Sequence, residues 1–170
     1  MQTFPDETPG PTHAVAVSDP PRLLAARSTI AEAALSALRI VSALLFMQHG
    51  VQKLFGWLLP AERAFNGAPE ILTRMWLAGM LETFGGLLLL LGLFTRPVAF
   101  LLSGQMAFAY FMAHAGQAFW PILNGGELAA LYSFVFLALS ALGGGRSSID
   151  RVLVERRERA IAAANVSGSA

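Results

Sequence analysis

Cysteine is absent from the chain, which excludes disulfides, thiolate metal ligands and dithiol electron relays within it. Charge is scarce too: 14% of the 170 residues are charged, against roughly a quarter in a soluble domain. The net charge is only +1 and no basic stripe interleaves with aromatics, so nucleic-acid binding is set aside. Near the N-terminus there is no basic region followed by a short apolar run, so no cleavable signal peptide is read there. The first hydrophobic helix is therefore expected to direct insertion itself.

What the chain has in abundance is apolar surface, in blocks. Hydrophobic residues make up 55% of it and the mean hydropathy is positive. A bilayer core needs roughly 20 helical residues, and four runs qualify: about Ala33 to Phe55, Trp76 to Phe94, Pro97 to about Ala115, and about Glu127 to Leu142. Pro97 suits a first helical turn, where its missing N–H would be unpaired in any case. Backbone groups in lipid must be satisfied internally, so continuous helices are expected. The fold predicted is all-α, a four-helix transmembrane bundle over residues 29–146. Before it, the proline-rich segment 1–28 is too poor in apolar periodicity to offset ordering entropy and is expected to be disordered. After it, residues 147–170 form a charged tail, expected to be a short helix at the membrane surface.

Arginine placement gives the orientation. Arg22 and Arg27 precede the first run, Arg96 sits between the second and third, and Arg146 and Arg151 follow the fourth. The connection from Gly116 to Gly126 has no Lys or Arg, and in the first connection Arg63 and Arg74 are offset by Glu62 and Glu70. Both termini are thus expected in the cytoplasm, in a multi-pass protein of the cell's inner (plasma) membrane.

With that orientation the ionisable residues of four runs share the outer half: His49 and Lys53, then Glu82, then Tyr110 and His114, then Glu127. Glu82 is about 9 Å inside from Trp76 at 1.5 Å per residue. His49 and Lys53 are neighbours on one helical face, with Arg39 on nearly the same stripe further down. Gly79, Glu82 and Gly86 share a face, as do Ser103, Tyr110, His114 and Gln117. A carboxylate in hydrocarbon needs a proton or a cation, and Lys53 is the cation within reach of Glu82. Taken one at a time, the same residues have plainer readings: a snorkelling lysine, a packed neutral histidine, and in Glu127 an acid complementing a helix N-terminus.

The stretches RIVSALLFMQHGVQKLFGW (39–57), ETFGGLLLLLGLFTRP (82–97), FWPILNGGELAALYSF (119–134) and GGGRSSIDR (143–151) resemble the DoxX family of small four-helix membrane proteins. The matching positions are Arg39, His49, Gly50, Lys53, Glu82, Arg96, Gly126, Glu127, Tyr132 and Asp150. The resemblance implies a membrane component of a redox or detoxification system, since the family takes its name from a membrane component of a thiosulfate:quinone oxidoreductase. It supplies no catalytic residue.

Two functions stand open on the sequence. In one, the chain is a quinone-linked subunit, and Arg39, His49, Lys53, Glu82, Tyr110, His114 and Glu127 form a polar core or ligand site. In the other it is a non-catalytic membrane anchor or assembly partner for a soluble or membrane redox enzyme. Whether it is itself an enzyme stays open between them. Transport is disfavoured by the lack of inverted repeats and broken-helix pairs. A metal site is not assigned, because two histidines without a motif do not define one.

Overall fold

The computed structural model describes residues 21–59 and 66–167, and among these the chain is helical with no strand. Helix α1 is Pro21–Phe55. Helix α2 is Arg74–Leu91 and contains a π-helical turn at Leu81–Gly85. Helix α3 is Thr95–Ala109, prolonged by a second π turn at Tyr110–His114. A short α4, Pro121–Asn124, leads into α5, Glu127–Leu142, and α6 is Ile149–Ser167.

The apolar runs set these elements and local chemistry ends them. Thr73 caps α2, its Oγ1 accepting from Trp76 N at 3.3 Å. Gly92, at φ 68°, turns the chain out of α2 in the left-handed region, which glycine enters without penalty. Asp150 then caps α3 from across the molecule, its two oxygens accepting from Phe94 N and Thr95 N at 2.8 Å each. Ser148 caps α6 by accepting from Arg151 N at 3.2 Å.

Helices α2 and α3 each begin two residues before the expected start, at Arg74 and Thr95, and two other boundaries differ by more. Helix α1 begins at Pro21, so residues 21–28 of the segment expected to be disordered are helical; the remainder of that segment lies outside the described residues. Leu, Ala and Arg in that stretch are strong helix formers, and a proline at the start costs a helix nothing. Helix α2 stops at Leu91 rather than Phe94, because Gly92 takes the left-handed turn first.

A single apolar core joins the long helices: Ala43 and Phe46 of α1, Leu89 of α2, Ala99, Leu102 and Met106 of α3, and Tyr132, Phe136 and Leu139 of α5. Phe46 is its hinge, 5.2 Å from the Tyr132 ring and 4.8 Å edge-on to Phe136. Small residues bring α2 against α1. A Cβ on Gly79 would lie 2.8 Å from Leu54 Cγ, and one on Gly50 would lie 2.6 Å from Thr83 N, so neither position has room for a side chain.

The outside is as apolar as the inside. Val41, Leu44, Leu45, Leu87, Phe100, Phe108, Leu131 and Phe134 are all exposed, while Arg39 and Glu82 are buried. Thr29–Phe55 and Arg74–Leu91 are long and apolar enough to cross a membrane, and only 28% of each span is buried. The core helix of a soluble protein would be mostly covered, so these are surfaces that an apolar solvent fits. Glu127–Leu142 is apolar but shorter.

Candidate functional site

The π turn in α2 places Glu82. An inserted residue in a helix shifts the side chains after it and loosens the carbonyl ladder, and such turns gather at functional sites. Here it aims Glu82 at α1, where Lys53 Nζ donates to Glu82 Oε1. The ion pair expected between these two residues on sequence grounds is therefore present. Gln105 of α3 completes the cluster, its Nε2 donating to Glu82 Oε1 at 3.3 Å and to Ala78 O at 3.4 Å. Two acceptors here are buried without a partner, Glu82 Oε2 and Gln105 Oε1, as is the hydroxyl of the adjacent Thr83.

This cluster lies at the base of an open cavity of about 1130 Å³. Its walls are mostly apolar and include Leu77 of α2, Phe100, Leu101, Phe108 and Met112 of α3, and Leu128 of α5. Several of these are exposed on the outer surface as well, so the opening lies on an apolar exterior. His49 and Tyr132 line the same cavity, their rings edge-on with centroids 6.4 Å apart. His114 also lines it, held by the second π turn, with Nδ1 2.9 Å from Asn124 O. A carbonyl can only accept, so Nδ1 is the donor in this contact.

Four residues singled out from the sequence thus share one cavity: His49, Lys53, Glu82 and His114. Three do not. Tyr110 stacks on His114 with centroids 6.5 Å apart and packs on Gly126, where a Cβ would meet its ring at 2.7 Å. Regular helical spacing keeps it on the stripe of Ser103, which faces α5, and the π turn that begins at Tyr110 shifts His114 relative to that stripe. Glu127 is the first residue of α5 and is exposed, a position that complements the helix N-terminus.

Arg39 lies at the opposite end of the helices. Its Nε donates to Gly144 O at 2.8 Å, its Nη2 to Ser147 O at 2.9 Å, and its Nη1 to Leu89 O and Leu90 O. It caps the last turn of α2 and ties that turn to the glycine-rich loop before α6. Its stripe is shared with Lys53, but about four helical turns of α1 separate the two.

Sequence reasoning missed Gln105 and, as a cavity residue, Tyr132. The stripe traced through Ser103, Tyr110 and His114 runs down another side of α3, and Ser103 indeed turns to α5, donating to Ser133 O at 2.8 Å. The available signal was a lone amide in the apolar run LLSGQMAFAY. Among the described residues no group of three or more His, Asp or Glu is arranged to hold a metal.

Comparison with known proteins places the chain among relatives. The family model described as DoxX matches residues 34–115. A Haemophilus influenzae protein described as uncharacterized is 45% identical over 121 residues, covering 68% of this chain and 87% of the relative. No solved structure matches.

Proposed function

The chain belongs to the DoxX family, and on that premise we propose that it is a quinone-linked membrane subunit of a redox or detoxification system. Its four long helices cross the cell's inner (plasma) membrane as one bundle, with both termini in the cytoplasm. The cavity near the outer leaflet receives the quinone head group, and a redox enzyme docking from outside the chain supplies the electrons. The observation that carries this reading is a cavity with apolar, outward-opening walls and a base holding a half-buried ion pair beside unpartnered acceptors.

A quinone, when bound, supplies reversible uptake of two electrons and two protons. The residues present suit that chemistry. Phe100, Phe108 and Met112 offer flat and flexible apolar contact for a ring and its tail. Lys53, 30% exposed while Glu82 is covered, keeps N–H groups in reserve for a carbonyl oxygen. Glu82 and His49 are side chains able to hold a proton beside it.

A quinone titration of the purified protein, read by the fluorescence of Trp57, Trp76 and Trp120, tests the reading. Saturable binding is expected, weakened in His49→Ala and Lys53→Ala variants that still elute as folded protein. Non-saturable partitioning alone would remove the ligand site and leave a membrane anchor for a partner enzyme. A reporter fused after Ala170 tests the orientation: activity of the cytoplasmic type is expected, and periplasmic activity would invert it.

A further inference from the structure

The two buried, unpartnered acceptors at the cavity base specify the ligand more narrowly than its apolar walls do. Glu82 is 1% exposed, yet only its Oε1 is engaged, by Lys53 and by Gln105. Oε2 and Gln105 Oε1 have no hydrogen-bond partner among the described residues, and the hydroxyl of the neighbouring Thr83 makes no bond to either. The amide cannot correct this by turning over, because that would set its oxygen against Ala78 O and Glu82 Oε1, both acceptors. With Lys53 and Gln105 both donating to Oε1, the ionised carboxylate offers Oε2 only as an acceptor. Glu82 Oε2 and Gln105 Oε1 thus stay unmatched even with the donors of Lys53 beside them, in a place where an unmatched acceptor is costly.

Resting on the quinone reading above, we propose that the site selects the reduced form of its ligand, a quinol, whose ring hydroxyl donates to Glu82 Oε2, with Gln105 Oε1 as the adjoining acceptor. An oxidised ring presents a carbonyl oxygen at that point, acceptor against acceptor, and is disfavoured there. A site built around a hydrogen bond discriminates strongly against an analogue that cannot make it. Glu82 is the residue that sets redox-state preference, and Gln105 supports it.

The test uses the purified full-length protein and three probes: a short-tailed benzoquinone, its quinol kept reduced under anaerobic conditions, and the dimethyl ether of that quinol. Binding is measured by equilibrium dialysis. The quinol is expected to bind at least about tenfold more tightly than the quinone or the ether. Glu82→Gln places an amide that can donate where the carboxylate oxygen stood, so the preference should disappear or reverse. Because that variant strands Lys53, Gln105→Leu is measured beside it, and there the preference should fall severalfold in a protein that stays folded. Equal saturable binding of quinol and quinone would overturn the hydroxyl preference, with water then meeting the open acceptors, and would leave the quinone reading standing. A preference that survives both substitutions would overturn the assignment to Glu82 and Gln105. If none of the three probes binds saturably, the quinone reading itself fails and this inference fails with it.

Discussion

The two ends of the helices are both polar, and they are built on opposite principles. At the Arg39 end, the guanidinium uses Nε, Nη1 and Nη2 on backbone carbonyls, and both oxygens of Asp150 take backbone N–H groups. Ser36 and Ser148 are likewise engaged; Thr95 Oγ1 is the exception. At the Glu82 end a charged pair and an amide sit under an open cavity with acceptors to spare. Buried polar groups that are fully matched specify a structure, whereas unmatched ones weaken it unless something else arrives to match them. The first end reads as a structural knot and the second, on the proposed function, as the place for a ligand.

Removing the knot should do the most damage. Arg39→Met would strand the carbonyls of Leu89, Leu90, Gly144 and Ser147, a loss of about 3 kcal/mol or more of stability. Thermal or denaturant unfolding in detergent would show this as a large drop, or as a failure to purify folded protein. A variant of near-native stability would mean that the loop before α6 finds other donors, and the contrast between the ends would lose its first term.

The ion pair comes next. Glu82→Gln and Lys53→Met should each cost about 1–3 kcal/mol by leaving a partner in a poorly solvated place. The double variant should lose less than the sum, because the stranded charge goes with its partner. Strict additivity would show that the two side chains are neighbours without being coupled.

That pair also marks how far the sequence could be read. Glu82 was legible because a carboxylate deep in an apolar run has few options, and Lys53 because it shares a helical depth with His49. The helical runs and the stop at Gly143 follow from hydropathy and glycine in the same direct way. Gln105 and the separation of Tyr110 from the cavity were not legible. Both depend on where α3 faces, and the π turns at Leu81–Gly85 and Tyr110–His114 break the constant angular step on which stripe reasoning relies. Arg39 was legible as a buried cation but not as a clamp. Its partners are backbone carbonyls 50 to 108 residues away, and carbonyls carry no sequence signature.

A smaller effect belongs to the cap that Asp150 provides. Asp150→Ala frees the N–H groups of Phe94 and Thr95 and should cost about 1 kcal/mol, in the range of lost N-caps. Asp150→Asn should recover part of it, since the amide oxygen can still accept one bond. Hydrogen exchange at Phe94 and Thr95 would locate the change. Unaltered exchange there would show that the cap is idle and that α3 is held by packing alone.

The smallest expected effect on stability is the most informative about the other end. Gln105 makes two long bonds, at 3.3 and 3.4 Å, and carries an acceptor that nothing matches. Gln105→Leu gives up the weak bonds and removes the unmatched oxygen, and the surrounding wall from Leu101 to Met106 is apolar enough to take a leucine. The terms nearly cancel, so unfolding should move by no more than about 0.5 kcal/mol, within the range of neutral substitutions. Arg39 and Gln105 would then differ sharply although both are polar residues in a largely apolar setting: one retained because the fold needs it, the other tolerated by the fold and explained only by a ligand. A loss above about 1.5 kcal/mol for Gln105→Leu would show that the amide supports the helices after all, and the base of the cavity would have to be read as a second knot.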